Sequence, residues 1–168
     1  MAVKLREDQP ADRAAIFEVV RRAFEQDAEA RLVDRLREGD YVRLSLIAET
    51  DRRIVGHILY SELPIVGATG TTPALALAPM AVLPEYQSQG IGSALIRRSL
   101  DICRERGHKI VVVLGHKHYY PRFGFSPQLA LPLESPYAGE SFMALELSPG
   151  ALAGVHGRVE YAPPFEEF

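Results

Sequence analysis

The amino-acid sequence predicts one domain of the α/β class, an α+β mixed sheet with helices on its faces. Three observations lead there. Apolar periodicity switches between strand-like and helix-like stretches in the order β-α-α-β-β-β-α-β-α-β-β. Two runs, 74–82 and 110–114, are apolar at nearly every position, as expected of strands covered on both faces. No internal repeat or long linker divides the chain, so residues 1–168 read as a single domain.

The elements follow in order. Residues 3–6 alternate and read as a short strand. Pro10 suits the first turn of a helix. That helix runs over 11–24, with Ala15, Ile16, Val19, Val20, Ala23 and Phe24 at helical spacing. A second amphipathic stretch, 28–38, carries Leu32, Val33 and Leu36, and Gly39 is expected to cap it. Strands are expected over 44–49 and 53–63, joined by a hairpin turn at Asp51-Arg52. Residues 64–73, rich in Gly and Thr, read as a loop. The apolar run 74–82 is a buried strand interrupted by Pro79 and closed by Pro84. The clearest helix is 90–106, with Ile91, Ala94, Leu95, Ile102 and Cys103 on its buried stripe and Gly107 stopping it. Residues 110–114 (Ile-Val-Val-Val-Leu) form a buried strand. A short helix is expected over 119–123, strand structure at Phe125 and over 142–147, and a last strand near 157–161.

Composition narrows the function classes. Of the 168 residues, 47% are apolar and 24% charged, an ordinary globular balance. The net charge of −3 argues against non-specific nucleic-acid binding, which needs a basic surface. The single cysteine, Cys103, permits no intramolecular disulfide, and a reducing cytoplasm fits. The first residues have no apolar core of the kind a signal peptide carries. The longest apolar run is about half the roughly 20 residues of a membrane helix. A cytoplasmic protein without membrane or nucleic-acid partners is expected.

The strongest chemical signal lies mid-chain. A buried strand leads into the polar turn Gln87-Ser88-Gln89, and then Gly90-Ile91-Gly92-Ser93 opens the long helix. The first turn of a helix carries N–H groups without intrahelical acceptors, and its dipole favours anions there. Glycines at 90 and 92 remove Cβ atoms that would hold a phosphate away. Ser93 adds a hydroxyl. The bland alternative is that these glycines only shape a tight turn. The identity of a phosphate ligand stays open at this step. A dinucleotide fingerprint needs glycine where Leu95 stands, and no Gly-Lys-Ser/Thr triplet of a Walker loop is present.

Gln87-x-x-Gly90-x-Gly92 resembles the Arg/Gln-x-x-Gly-x-Gly/Ala motif of the GNAT superfamily of acyl-CoA N-acyltransferases. Residues 80–86 resemble that family's fourth strand and its exit. Tyr119-Tyr120-Pro121-Arg122-Phe123-Gly124-Phe125 resembles its Tyr-x-x-x-Gly-Phe segment. The phrases Ala-Pro-Met-Ala-Val and Tyr-Tyr-Pro-Arg-Phe-Gly-Phe are most similar to a bacterial, YhbS-like branch. The likeness is specific over 75–125. Over 3–63 it rests on element order, and after Ser126 it is weak. A GNAT-like fold implies a central, mostly antiparallel sheet with two splayed parallel strands, here 74–82 and 110–114, and helices on both faces.

The resemblance implies direct transfer of an acetyl group from acetyl-CoA to a primary amine, in a ternary complex without a covalent enzyme intermediate. The pantetheine arm lies in the splay, so Pro79 marks either a bulge where strand pairing is lost or a plain irregularity. Main-chain groups of Met80 and Val82 pair with the pantetheine amides, and an N–H near Met80 or Ala81 faces the thioester carbonyl as an oxyanion donor. Gln87, Ser88, Gln89, Gly90, Ile91, Gly92 and Ser93 hold the pyrophosphate. Tyr120 falls on the family's general-acid tyrosine. A phenol at about 10 protonates a thiolate at about 8.5 uphill by about 2 kcal/mol, so hydrogen-bond donation is part of that role. The general base stays open among Glu49, His57, Glu62, Glu85, His116 and His118. His116-x-His118 lacks nearby cysteine or acidic ligands, so no metal is expected. Many family members carry Asn where Gly115-His116 stands. Partners implied are an amine-bearing small molecule or peptide, with a homodimer left open. Tyr41, Tyr60, Glu62 and Tyr137 are candidates for the acceptor pocket. A non-catalytic acyl-CoA sensor and a nucleotide-binding enzyme are the competing readings.

Overall fold

The structure is a computed structural model that describes residues 2–167. Strand β1 (Lys4–Glu7) leads through a 3-10 turn at Pro10–Asp12 into α1 (Arg13–Phe24) and α2 (Ala28–Glu38). Strands β2 (Val42–Thr50) and β3 (Arg53–Glu62) form the expected hairpin. Asp51 and Arg52 both take positive φ, as a tight two-residue hairpin turn requires. The segment expected as a loop is a small hairpin of β4 (Ile65–Gly67) and β5 (Gly70–Thr72). Then come β6 (Leu75–Val82), α3 (Ile91–Glu105) and β7 (Ile110–Leu114). A 3-10 turn at Tyr120–Phe123 is the short helix expected there. The four-residue α4 (Pro127–Ala130), capped by Ser126, and the two-residue β8 (Leu133–Glu134) follow. The chain closes with β9 (Phe142–Glu146), β10 (Gly157–Val159) and a 3-10 turn at Pro163–Glu167. Phe125 lies outside a strand, next to an isolated bridge between Ser126 and Ala144.

The main sheet has the order β1-β2-β3-β6-β7-β9, and among the described residues its one parallel junction is β6 with β7. A second sheet, β5-β4-β10-β8, gathers the shortest strands. The expected last strand is β10, and it belongs to this second sheet.

Alternation along β3 assigns the faces. A Cβ on Gly56 would lie 3.0 Å from Leu95 Cδ1, and the Tyr60 hydroxyl meets Ser99 Oγ at 2.7 Å, so even-numbered positions face α3. His57 turns the other way, to Ser45 and the Arg37 end of α2. Helices therefore cover both faces. Strands β6 and β7 are buried on both sides, as their unbroken apolar runs require. Leu75, Leu77, Val111 and Val113 join the large core, whereas Ala76, Ile110 and Val112 join a smaller core under the second sheet, with Ile65 and Val159.

Gly39 ends α2 without the left-handed turn of a glycine cap. Its φ is −85°, and Asp40 takes the left-handed conformation instead. Glycine is needed at 39 because the Tyr41 ring lies against it, 2.3 Å from where a Cβ would stand.

Candidate active site

Pairing between β6 and β7 stops early. Leu75, Ala76 and Leu77 align with Val111, Val112 and Val113, and no residue of β6 beyond Leu77 pairs with β7. On its other edge β6 stays paired with β3 through Val82. That ladder slips between Ile58/Met80 and Tyr60/Leu77, so Ala78 and Pro79 together oppose one residue, a β-bulge. Of the two readings of Pro79, the bulge at a splay is the observed one. The half of β6 facing β7 is thus a free strand edge, able to pair with an added extended chain.

The free edge ends at a turn that is tied down on both sides. Leu83 N donates to Val55 O at 2.8 Å, and Gln87 Nε2 donates to Val82 O at 2.9 Å. Glu85 accepts from both Arg22 nitrogens (2.7 and 2.9 Å) and from Arg53 (3.2 Å). The Arg22 bonds hold its carboxyl down at about 2, but the group is exposed, so the pairs position the turn more than they stabilise the fold.

The chain then enters α3 with Ser88 (φ 61°) and Gly90 (φ 86°) left-handed. Gly90 O accepts from Ala94 N at 3.0 Å, the first bond of the helix. The N–H groups of Ser88, Gln89, Gly90, Ile91, Gly92 and Ser93 have no hydrogen-bond acceptor among the described residues. Six consecutive free amides at the positive end of a 15-residue helix form a ready anion site.

These amides border a cleft of about 470 Å³ lined by Val82, Gln87, Ser88, Gly90, Ile91, Gly92 and Ser93, all expected from sequence. Tyr86, Tyr119 and Arg122 complete the wall. Met80 supports it from below: its Cε would lie 3.5 Å from a Cβ on Gly92. Ala81 is buried, and the Gln89 side chain folds back toward Glu85 O at 3.4 Å. Arg122 is the residue that sequence reasoning passed over. Its place in Tyr-Tyr-Pro-Arg-Phe-Gly-Phe brings a cation to the anion site and over the Tyr119 ring, 5.7 Å from its centroid. The Tyr119 hydroxyl meets Ser93 Oγ at 3.1 Å.

Tyr120 stands behind Tyr119, edge-on to it and to Phe125, and is only 8% exposed. Burial pushes its phenol up to about 12, so it keeps its proton at any physiological pH. The ring lies so close to Gly115 that a Cβ there would fall 2.3 Å from Tyr120 Cε2. The tyrosine thus fills the space that any side chain at 115 would need. Cys103 is buried with its thiol pushed up to about 12, consistent with inert core.

None of the six candidate bases lines the cleft. His57 is fully buried, its Nε2 2.8 Å from Ser45 Oγ, and desolvation lowers its pKa to about 3. Glu49 pairs with Arg6, Glu62 with Arg43, and Glu85 with Arg22 and Arg53. His116 and His118 are exposed on the segment after β7. Of the acceptor-pocket candidates, Tyr41, Glu62 and Tyr137 do share a cleft. Tyr60 does not. It lies inside β3 and is buried under α3, its hydroxyl 2.7 Å from Ser99 Oγ, whereas Glu62 has the same strand parity but stands at the strand's end.

Comparison with known proteins agrees with this geometry. The model of the Acetyltransferase (GNAT) family matches residues 12–125. The uncharacterized N-acetyltransferase YhbS of Escherichia coli K12 is 35% identical over 98% of this chain and 99% of its own length. The uncharacterized N-acetyltransferase YjhQ of the same strain is 44% identical over 70% of this chain and 66% of its own. Among solved structures, E. coli YhbS in complex with CoA superimposes with a TM-score of 0.92 at 35% identity, covering 99% of this chain and 93% of that one. A GNAT family acetyltransferase from Brucella melitensis in complex with acetyl-CoA gives 0.82 at 34% identity, covering 98% of each. No helix among the described residues is long and apolar enough to cross a membrane. With the splayed strands, the amide-lined helix start and a family model matched over most of its length, the chain belongs to the GNAT acetyltransferase family.

Proposed function

We propose that this protein transfers the acetyl group of acetyl-CoA directly to a primary amine. The observation that carries the reading is the run of six free amides, Ser88 to Ser93, opening beside an unpaired strand edge. A diphosphate suits the first, and the amides of a pantetheine arm suit the second. Arg122 adds a positive charge on the far wall. Relatives with CoA and acetyl-CoA bound support the same cosubstrate here.

In this reading the arm lies along residues 78–82 and brings the thioester to the bulge. The amine attacks the carbonyl carbon, the C–N bond forms, and a main-chain N–H near Met80 or Ala81 faces the developing oxyanion. The C–S bond then breaks, and the thiolate leaves toward Tyr120. That phenol is poised as a donor, since burial keeps it protonated. The amine loses its proton through water, because no carboxylate or imidazole lines the cofactor cleft.

A coupled assay of free thiol with acetyl-CoA and a panel of primary amines tests the proposal. Tyr120→Phe is expected to lower turnover by about a hundredfold, the usual range for a lost general acid, with CoA affinity unchanged. Wild-type turnover in the folded variant would make Tyr120 purely structural. Tight CoA binding with no turnover on any amine would instead favour a sensor.

A further inference from the structure

Beyond Ser93 the wall of the cofactor cleft continues along α3 as a strip of aromatic rings topped by a cation. The Ser93 hydroxyl meets the Tyr119 hydroxyl at 3.1 Å. The Tyr119 ring stands edge-on to Phe123, with centroids 5.2 Å apart. Arg97, one helix turn after Ser93, lays its guanidinium over the Phe123 ring, 4.9 Å from the centroid. Residues four apart share a helix face, so Arg97 stands about 6 Å from Ser93 on the side that bears the two rings.

No carboxylate holds Arg97. Its neighbours in sequence and on the adjoining helix are paired, Arg98 with Glu105, Arg104 with Asp101, Arg21 with Glu18 and Arg22 with Glu85. Arg97 forms no ion pair and donates to no acceptor among the described residues, and its side chain is exposed. A ring beneath a guanidinium orients it without using its N–H groups, which stay free for an anion.

The diphosphate does not need this cation. The amides of Ser88 to Ser93 face it and Arg122 lines its cleft, whereas Arg97 lies outside that lining, a turn further along the helix. A cation so placed serves a separate anion, one that hangs off the same ligand just past the diphosphate. CoA carries such a group, a phosphate monoester on the 3′ position of its ribose. A monoester bears about −1.5 to −2 charges near neutral pH, and the planar arginine fork meets its oxygens with two parallel N–H bonds.

Resting on the acetyl-CoA reading, we infer that Arg97, braced by Phe123, receives the ribose 3′-phosphate of the cosubstrate. The protein thereby selects CoA thioesters over donors that lack this phosphate. Arg97 sets that preference through binding and takes no part in the chemistry at the thioester.

Calorimetric titrations of the full chain with CoA and with dephospho-CoA, which lacks only the 3′-phosphate, test the assignment. CoA is expected to bind about tenfold more tightly, the scale of one charge-assisted pair. The preference is expected to shrink as salt is raised, because the pair is exposed. Arg97→Gln keeps a good helix former at an exposed position, so the fold survives. The variant is expected to weaken CoA by about tenfold and leave dephospho-CoA unchanged, bringing the two within about threefold of one another. Equal affinity of the two ligands in the wild type, a preference that survives Arg97→Gln, or equal weakening of both ligands in that variant overturns the inference. Binding of neither ligand removes the acetyl-CoA reading itself, whereas binding of both without preference removes only this phosphate subsite.

Discussion

Gly115 and Tyr120 form one unit. The tyrosine ring occupies the volume in which any side chain at 115 would begin. Gly115→Ala therefore forces the ring away from its edge-on contacts with Tyr119 and Phe125. Overpacking of this kind costs about 1–3 kcal/mol. The expected outcome is a lower midpoint in urea together with reduced turnover. An unchanged midpoint would mean that the ring yields freely and is not held for donation. Gly90 differs, since a Cβ there meets nothing within 4 Å. Its glycine serves the left-handed φ of 86° and the open approach to the amides. Gly90→Glu puts bulk and negative charge at the anion site. It is expected to abolish CoA binding while the fold survives, which calorimetry and circular dichroism check together.

At the scale of elements, the reading of the sequence succeeded where a signal is local. The turn at Asp51-Arg52, the helix bounded by Gly90 and Gly107, and the apolar runs of β6 and β7 each carry their own punctuation. The glycine loop before α3 was legible for that reason, because its strand, turn, glycines and helix are contiguous. The second sheet was legible only in its strand near 157–161. Its strands are two or three residues long and too short to show a period. They are held by pairing across the chain, as between Val66 and Arg158. Gly157 betrays the closeness only in three dimensions, since a Cβ there would lie 2.5 Å from Val66 O. The cleft beside Tyr41 was partly legible for the same reason. Tyr41, Glu62 and Tyr137 were picked as residue types, yet Tyr161 and Phe165 reach them only through the fold. Tyr60 shares its strand parity with Glu62 but lies further inside β3, where α3 buries it.

Across the whole molecule, two cores share the strands β6 and β7, and the face opposite α3 carries a buried polar chain. His57, Ser45, Asp8 and Arg37 link β3 and β2 to α2. His57 Nδ1 has no partner, so the ring is held neutral by burial rather than by bonding. Its pKa falls to about 3 in the fold against an ordinary value of about 6.5. Between these values the unfolded chain takes up a proton that the folded chain does not. Stability from this residue is complete above about pH 6.5 and declines as the pH drops through that window, by about 1 kcal/mol per unit. His57→Gln removes that slope. Denaturant titrations of both proteins at pH 7 and pH 5 are expected to converge at the lower pH, and parallel curves would contradict the assignment.

The most direct measurement on the central claim is a crystal structure of the full chain grown with CoA. The diphosphate is predicted against the main-chain amides of Ser88 to Ser93, with Arg122 closing over it and the pantetheine arm along the free edge of β6. A diphosphate seated elsewhere on the molecule, with those amides still bare, would contradict the account.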